Sequence, residues 1–365
     1  MAPLMSLLVR DHRFDIRLCI TGQHRQMLDQ ALDLFRLEAD YDLNVMRGGQ
    51  EPADVTAAIL MQLKSVLVEF RPDIVLVHGD TATTFAATLS AYYQKIPVGH
   101  VEAGLRTGNL YAPWPEEANR KLTGALASLH FAPTESAKKN LLLEGVDPAS
   151  IHVTGNTVID ALLDIAEKVE RDKALQEDFH RRFPYAGDGK RILLVTGHRR
   201  ESLGGGFERV CSALLETVAR FPDVEIVYPV HLNPQVQEPV RRLLGTSERV
   251  HLIEPMGYLP FIQLMHRSHL IITDSGGIQE EAPSLGKPVL VTRDVTERPE
   301  AVEAGTVRLV GTDADRIVAE VTELLRDSAA YERMSFAHNP YGDGKASERV
   351  LAVLASFRRE QLNEV

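Results

Sequence analysis

Disulfides are the first thing this chain does without. Only Cys19 and Cys211 occur in its 365 residues. Both lie inside apolar patterns, so a disulfide framework is excluded and a reducing, cytoplasmic setting is expected. An excess of positive charge is missing too: the net charge is −11. An acidic protein without a local basic patch attracts neither nucleic acid nor an anionic membrane surface. No apolar run reaches the roughly 18 residues that a membrane span needs, and no charged-then-apolar leader is visible at the start, so neither spanning nor export is expected. No metal cluster is visible, and neither a metal nor another cofactor is expected.

What is present is a two-part α/β pattern. A chain of this length exceeds what one hydrophobic core usually supports, so roughly two domains are expected. Short apolar runs at Ile16–Thr21, Asp73–Val77, Val98–Val101, His130–Ala132 and His152–Thr154 read as strands. So do Ile192–Thr196, Val224–Val230, His251–Ile253, Leu270–Thr273, Val289–Thr292 and Val307–Val310. Amphipathic stretches alternate with them, among them Pro52–Phe70, Thr84–Gln94, Pro115–Ala127, Phe207–Arg220 and Asp313–Leu325. Strands that are apolar throughout imply parallel sheets covered on both faces. The expected fold class is therefore α/β, with two Rossmann-like, doubly wound domains. The alternation pauses over the charged stretch Lys168–Lys190. Residues 1–155 are expected to form the first domain and 156–344 the second, with a helix over 345–365 crossing back to the first. In such a pair ligands sit at the C-terminal ends of strands, in the interdomain cleft.

Residues 274 to 288, Asp-Ser-Gly-Gly-Ile-Gln-Glu-Glu-Ala-Pro-Ser-Leu-Gly-Lys-Pro, carry the strongest functional signal. They follow the apolar run Leu270–Thr273, so a buried strand ends, a Ser275-Gly276-Gly277 turn follows and a helix opens. The first backbone N–H groups of that helix have no intrahelical partner and can receive phosphate oxygens. One turn on, Glu280 and Glu281 would repel phosphate but can accept hydrogen bonds from a ribose diol. The ligand implied is a nucleoside diphosphate; the plain alternative is a glycine turn between strand and helix.

Other strand ends collect polar chemistry. Asp80 follows the strand ending at Val77, where it either caps the next helix or takes part in chemistry. Glu102 follows the next strand beside two small residues, a place harder to explain as a cap. Glu116 opens a helix, where the helix dipole alone would favour it. Three carboxylates brought to one cleft would suit proton transfer between carbon and protein, provided burial or mutual repulsion raises at least one pKa. In the second half His198, Arg199 and Arg200 end another strand and, with Arg298, offer the positive charge a diphosphate requires.

Together these segments resemble the non-hydrolysing UDP-N-acetylglucosamine 2-epimerase family. The matching stretches are Gly22–Met27, His78–Thr81, His100–Arg106, Pro115–Arg120, Thr196–Glu201, Asp274–Glu281 and Thr296–Glu300, in family order and across nearly the whole chain. The resemblance implies a GT-B type pair of domains, a cytoplasmic homodimer, and reversible conversion of UDP-GlcNAc to UDP-ManNAc for cell-surface polysaccharides. It implies acid/base roles for Asp80, Glu102 and Glu116, and places His198 against the diphosphate. Ser275, Gly276 and Gly277 would hold phosphate, Glu281 the ribose, Phe261 the uracil face, and Arg298 would complete the pocket. Gln23, Gln26, Arg199 and His231 match a second, regulatory UDP-GlcNAc site; a helix cap at Gln23 and a turn residue at His231 are the plainer alternatives. The family opens with a strand and a Gly-Thr-Arg-Pro-Glu turn ahead of the Met1-Ala2-Pro3-Leu4 seen here. Since Pro3–Asp11 reads as a helix, either the start seen here is late or that strand is missing, together with the arginine and lysine that the resemblance would put on UDP. The rival readings are a hydrolysing epimerase releasing ManNAc and UDP, a GT-B glycosyltransferase, and a nucleotide-sugar sensor without turnover.

Overall fold

Strand pairing among the described residues is parallel throughout, as the uninterrupted apolar runs imply. The computed structural model describes residues 1–23, 25–187, 189–197 and 205–357, without the side chains of Gln26 and Met27. Two compact units result, Met1–Ala161 together with the stretch from Tyr341 onward, and Leu162–Pro340. The division falls within helix Thr157–Arg171.

In the first unit, β1 (Cys19–Ile20) and β2 (Tyr41–Asp42) form a two-stranded sheet, while β3 (Val75–His78), β4 (Val98–Val101), β5 (Leu129–Ala132) and β6 (Ile151–Val153) pair in sequence order. The strand expected over Ile16–Thr21 thus shortens to two residues, and its partner β2 has no apolar run to announce it. Strand β4 is buried along its length and covered on both faces. Val98 packs with Leu63 and Leu67 of helix Pro52–Phe70 and with Ala87 and Ala91 of helix Ala82–Tyr93. Val101 lies an odd number of residues on and therefore on the opposite face. It joins Leu4 and Leu8 of helix Ala2–Arg10 and Val350 and Leu354 of helix Ala346–Ser356.

Helix Pro52–Phe70 has the expected bounds for identifiable reasons. Glu51 and Asp54 make a capping box, Pro52 fits the first turn, and Val55, Ile59, Leu63 and Leu67 bury one stripe at four-residue spacing. The helix Ala346–Ser356 is capped from a distance. Asp160 accepts the backbone N–H of Ala346 at 3.2 Å and of Ser347 at 2.6 Å. A carboxylate there meets two amides that the helix itself cannot satisfy and complements its dipole.

The second unit contains β7 (Arg191–Thr196), β8 (Val224–Pro229), β9 (Val250–Ile253), β10 (Leu270–Thr273), β11 (Val289–Val291) and β12 (Val307–Leu309). Their order is β12-β11-β10-β7-β8-β9. The chain winds outward from β7 in one direction and from β10 in the other, so the topological switch point lies between these two strands. Ligands of open parallel sheets bind at such a point, beyond the strands' C-terminal ends. Leu193, Val195, Ile226, Leu270, Ile272 and Leu290 are among the strand residues of one buried cluster, to which Val210, Leu214, Ile317 and Val321 of the covering helices also belong.

Candidate active site

At the switch point of the second unit, the ends of β7 and β10 are tied together by Thr196 Oγ1 and Thr273 Oγ1, 2.6 Å apart. Thr273 Oγ1 also accepts the N–H of Ser275 at 3.0 Å. Its hydroxyl therefore sets the turn from which helix Gly276–Ser284 opens. Ser275 occupies the N-cap position in extended conformation but gives the helix no side-chain cap. The amides of the first turn are thus left for an anion, at the positive end of the helix dipole. Glycine suits this approach because bound oxygens must come close to backbone. A Cβ on Gly276 would sit 3.5 Å from Glu297 Oε2, and one on Gly277 would sit 3.9 Å from Glu281 Oε1.

The two glutamates one turn on are separated by their surroundings. Glu280 is buried, and its Oε1 accepts a hydrogen bond from Arg298 Nε. Arg298 is further fixed by its own N–H to Thr296 Oγ1 at 3.0 Å and by Nη1 to the Glu297 carbonyl at 3.2 Å. Thr296 in turn donates to Gln279 Oε1 at 2.6 Å. Arg298 is therefore presented by a network on the same helix that carries the seat. Glu281 remains half-buried and faces another environment. Burial, and then the Glu280 charge, push its carboxyl up to about 8. Burial, and then the charge of Glu281, also raise the phenol pKa of Tyr258, whose buried hydroxyl has no hydrogen-bond partner among the described residues. Tyr258 begins helix Tyr258–Arg267, which carries the half-buried Phe261.

In the first unit the carboxylates follow the C-terminal ends of β3 and β4. Gly79, with φ +72°, turns the chain out of β3 and presents Asp80. His100 of β4 is buried, and its Nε2 donates to the Gly79 carbonyl at 2.8 Å, holding that turn. Desolvation drops the His100 pKa to about 4, so the ring is neutral and Nε2 carries its proton. Asp80 Oδ2 accepts from Arg120 Nε at 3.0 Å and Nη2 at 2.7 Å, while its carbonyl accepts from Asn119 Nδ2 at 2.8 Å. Both partners belong to helix Glu116–Leu126, so Asp80 is pinned against the helix that Glu116 opens.

Glu116 and its neighbour Glu117 part company. Glu117 is fully buried; its Oε1 accepts the N–H groups of Thr107 and Gly108 at 3.1 Å each, and its Oε2 accepts from Arg120 Nη1 at 3.2 Å. It fixes the loop and the arginine. Glu116 stays half-buried and makes no ion pair among the described residues.

Glu102 sits just beyond β4 at φ +66°, a left-handed conformation unusual for a residue with a Cβ. Its Oε2 accepts from Asn156 Nδ2 at 3.3 Å and lies 3.7 Å from His78 Nε2. Its Oε1 is on the side of the Gly79 turn, where a Cβ would come within 3.9 Å. Desolvation holds the His78 pKa well below the usual histidine value, so that ring too is neutral.

Of the remaining expected site residues, His198 and Arg199 lie outside the described residues, as does the side chain of Gln26. Gln23 Oε1 accepts from Thr83 Oγ1 at 3.1 Å, and His231 Nδ1 accepts the Asn233 N–H at 3.1 Å. Arg120, Asn156 and His100 were given no role by sequence reasoning, and Glu280, read there together with Glu281 as an acceptor for a ribose diol, accepts from Arg298 Nε. The spacing of Glu117 and Arg120, three apart on one helix, was the signal available for Arg120. Among the described residues no group of three or more potential metal-binding side chains occurs, and no helix is long and apolar enough to cross a membrane.

Two parallel α/β units, one opening a helix at the switch point of its sheet, give the chain a GT-B-like fold. Residues 7–355 match the family model described as UDP-N-acetylglucosamine 2-epimerase, and the chain belongs to that family. It is 60% identical over 358 residues to the UDP-N-acetylglucosamine 2-epimerase of Salmonella typhimurium, covering 98% of this chain and 95% of that protein. The corresponding protein of Escherichia coli K12 is 59% identical, with the same coverage of both chains. The crystal structure of UDP-GlcNAc 2-epimerase from Neisseria meningitidis, bound to UDP-GlcNAc, matches with a TM-score of 0.89 at 52% identity, covering 98% of this chain and 96% of that one.

Proposed function

We propose that this protein interconverts UDP-GlcNAc and UDP-ManNAc without hydrolysis. The observation that carries the reading is the division of chemistry between the units. The second offers an uncapped helix start for a diphosphate, with Glu281 one turn on for the ribose hydroxyls and Phe261 for the uracil face. Arg298, held by Glu280, completes that half. The first offers Asp80, Glu102 and Glu116 at strand and helix ends, with no metal required.

A carboxylate removes the proton at C2 of the sugar; the C2–H electron pair becomes the C1=C2 double bond, and UDP departs from C1 with the pair of the C1–O bond. The intermediate is 2-acetamidoglucal. UDP then adds back to C1 and a proton returns to the opposite face of C2. Two faces need two proton-handling groups, which is why more than one carboxylate is assigned to acid/base work. His198 is assigned to the diphosphate and the departing oxygen. Gln23, Gln26, Arg199 and His231 are assigned to a second, regulatory UDP-GlcNAc.

The reaction is tested by incubation with UDP-GlcNAc in D2O, read by NMR. Deuterium should enter C2 of recovered UDP-GlcNAc and UDP-ManNAc should appear. Free ManNAc with UDP, and no UDP-ManNAc, would replace this reading with hydrolysis. Binding without exchange would make the protein a sensor.

A further inference from the structure

A set of contacts inside the first unit converges on Glu102 from a direction that the reaction chemistry does not explain. The strand β6 ends at Val153, and the next three residues, Thr154 to Asn156, form a junction with the returning C-terminal segment. Arg349 Nη1 donates to the Thr154 carbonyl at 3.0 Å, and the Asn156 N–H donates to the Tyr341 carbonyl at 2.7 Å. Between them Gly155 is left-handed at φ +87°; a Cβ there would stand 3.3 Å from Gly342 Cα and 3.3 Å from the Tyr341 oxygen. The returning chain therefore presses directly on this junction, and only glycine leaves room for it.

Asn156 is buried, and every part of it is engaged. The backbone N–H holds the returning segment. The side-chain Oδ1 accepts the N–H of Val158 at 3.1 Å, capping helix Thr157–Arg171. The side-chain Nδ2 donates to Glu102 Oε2 at 3.3 Å. Capping and the grip on Glu102 use opposite ends of one amide, so the ring of contacts fixes which end faces the carboxylate. A nitrogen must point at Glu102.

We propose that Asn156 is a positioning residue for Glu102. It holds Oε2, on the side where His78 also stands, and so fixes the direction in which the carboxylate is presented. The proposal rests on the assignment of Glu102 to proton transfer made above. A left-handed glutamate has no backbone preference of its own for this orientation, and the amide supplies it. Among the described residues His78, which is neutral, faces Glu102.

Two substitutions separate this role from a structural one. Asn156→Asp keeps an oxygen for the helix cap and the backbone contact to Tyr341 but turns a carboxylate oxygen toward Glu102. Two carboxylates at that range cannot both ionise freely, so the acid limb of the pH profile of kcat/KM should move to higher pH by about one unit. Asn156→Ser can still cap but is too short to reach Glu102. It should lower kcat by about ten- to a hundredfold, with KM and UDP affinity unchanged, since misplacing a reacting group costs that much. Thermal melting and UDP titration of both variants confirm that they are folded. Glu102→Gln is the control. If it loses kcat while the Asp variant keeps the wild-type pH profile and the Ser variant keeps full kcat, Asn156 does not position Glu102. If Glu102→Gln itself keeps full kcat, the assignment of Glu102 falls first and takes the positioning role with it.

Discussion

Replacing Glu281 with glutamine tests the charge state of the proposed ribose site through stability alone. Its carboxyl is held at about 8, against 4.5 for an unperturbed glutamate, first by burial and then by Glu280. Folding therefore favours the protonated form. Below 4.5 the folded and unfolded chains both carry the proton, and the group is neutral toward stability. As pH rises the unfolded chain ionises freely while the folded one keeps its proton, so stability is lost until pH passes 8. At about 1.4 kcal/mol per pH unit, the full shift would cost about 3 kcal/mol between pH 5 and 7.5. A half-buried carboxyl draws water and rearranges, which reduces this to about 1–2 kcal/mol. In a unit of this size each kcal/mol moves Tm by about 2–4 °C. The Tm of Glu281→Gln relative to wild type should therefore rise by roughly 3–6 °C from pH 5 to 7.5 and level off above pH 8, read by scanning calorimetry. A difference that is constant across that range refutes the argument that Glu281 is protonated in the free protein.

Two further expectations concern the first unit. Arg120→Met strips the fully buried Glu117 of its charged partner and Asp80 of both guanidinium contacts. It should cost about 2–4 kcal/mol in a thermal melt and lower kcat, whereas Arg120→Lys should cost clearly less stability; equal melting of all three proteins would contradict the clamp. His100 is held neutral down to about 4 by burial, while an unfolded histidine takes a proton near 6.5. Its contribution is present above 6.5 and lost as pH falls toward 4, by on the order of 2–3 kcal/mol, so His100→Gln should flatten the decline of Tm over that acid range.

Much of this architecture could be read from the amino acids, for a physical reason. Strands of a sheet covered on both faces must be apolar at every position, so β7 and β10 stand out as unbroken runs and were located to within a residue. β2 has only Tyr41 and Asp42 and is half exposed, and nothing in its composition marks it. The candidate carboxylates Asp80 and Glu102 were singled out because they follow strand ends, and the structure places them there. Their partners were not, since Asp80 meets Arg120 across 40 positions and Glu102 meets Asn156 across 54. Adjacent helical residues point about 100° apart, so only one of Glu116 and Glu117 could turn inward, and composition does not say which.

The participation of Val350 and Leu354 in the same buried cluster as Leu4 and Leu8 has a consequence for biogenesis. During translation the residues of the second unit, Leu162–Pro340, all emerge before the segment that completes the first. The unit that is begun first is thus finished last. Until helix Ala346–Ser356 arrives, one face of β4 and β5 has lost part of its cover, and the nascent chain carries exposed apolar surface of the kind that chaperones bind. Nonsense mutations in the codons of helix Ala346–Ser356 would leave the unit Leu162–Pro340 intact in sequence and yet strand the first unit in that uncovered state.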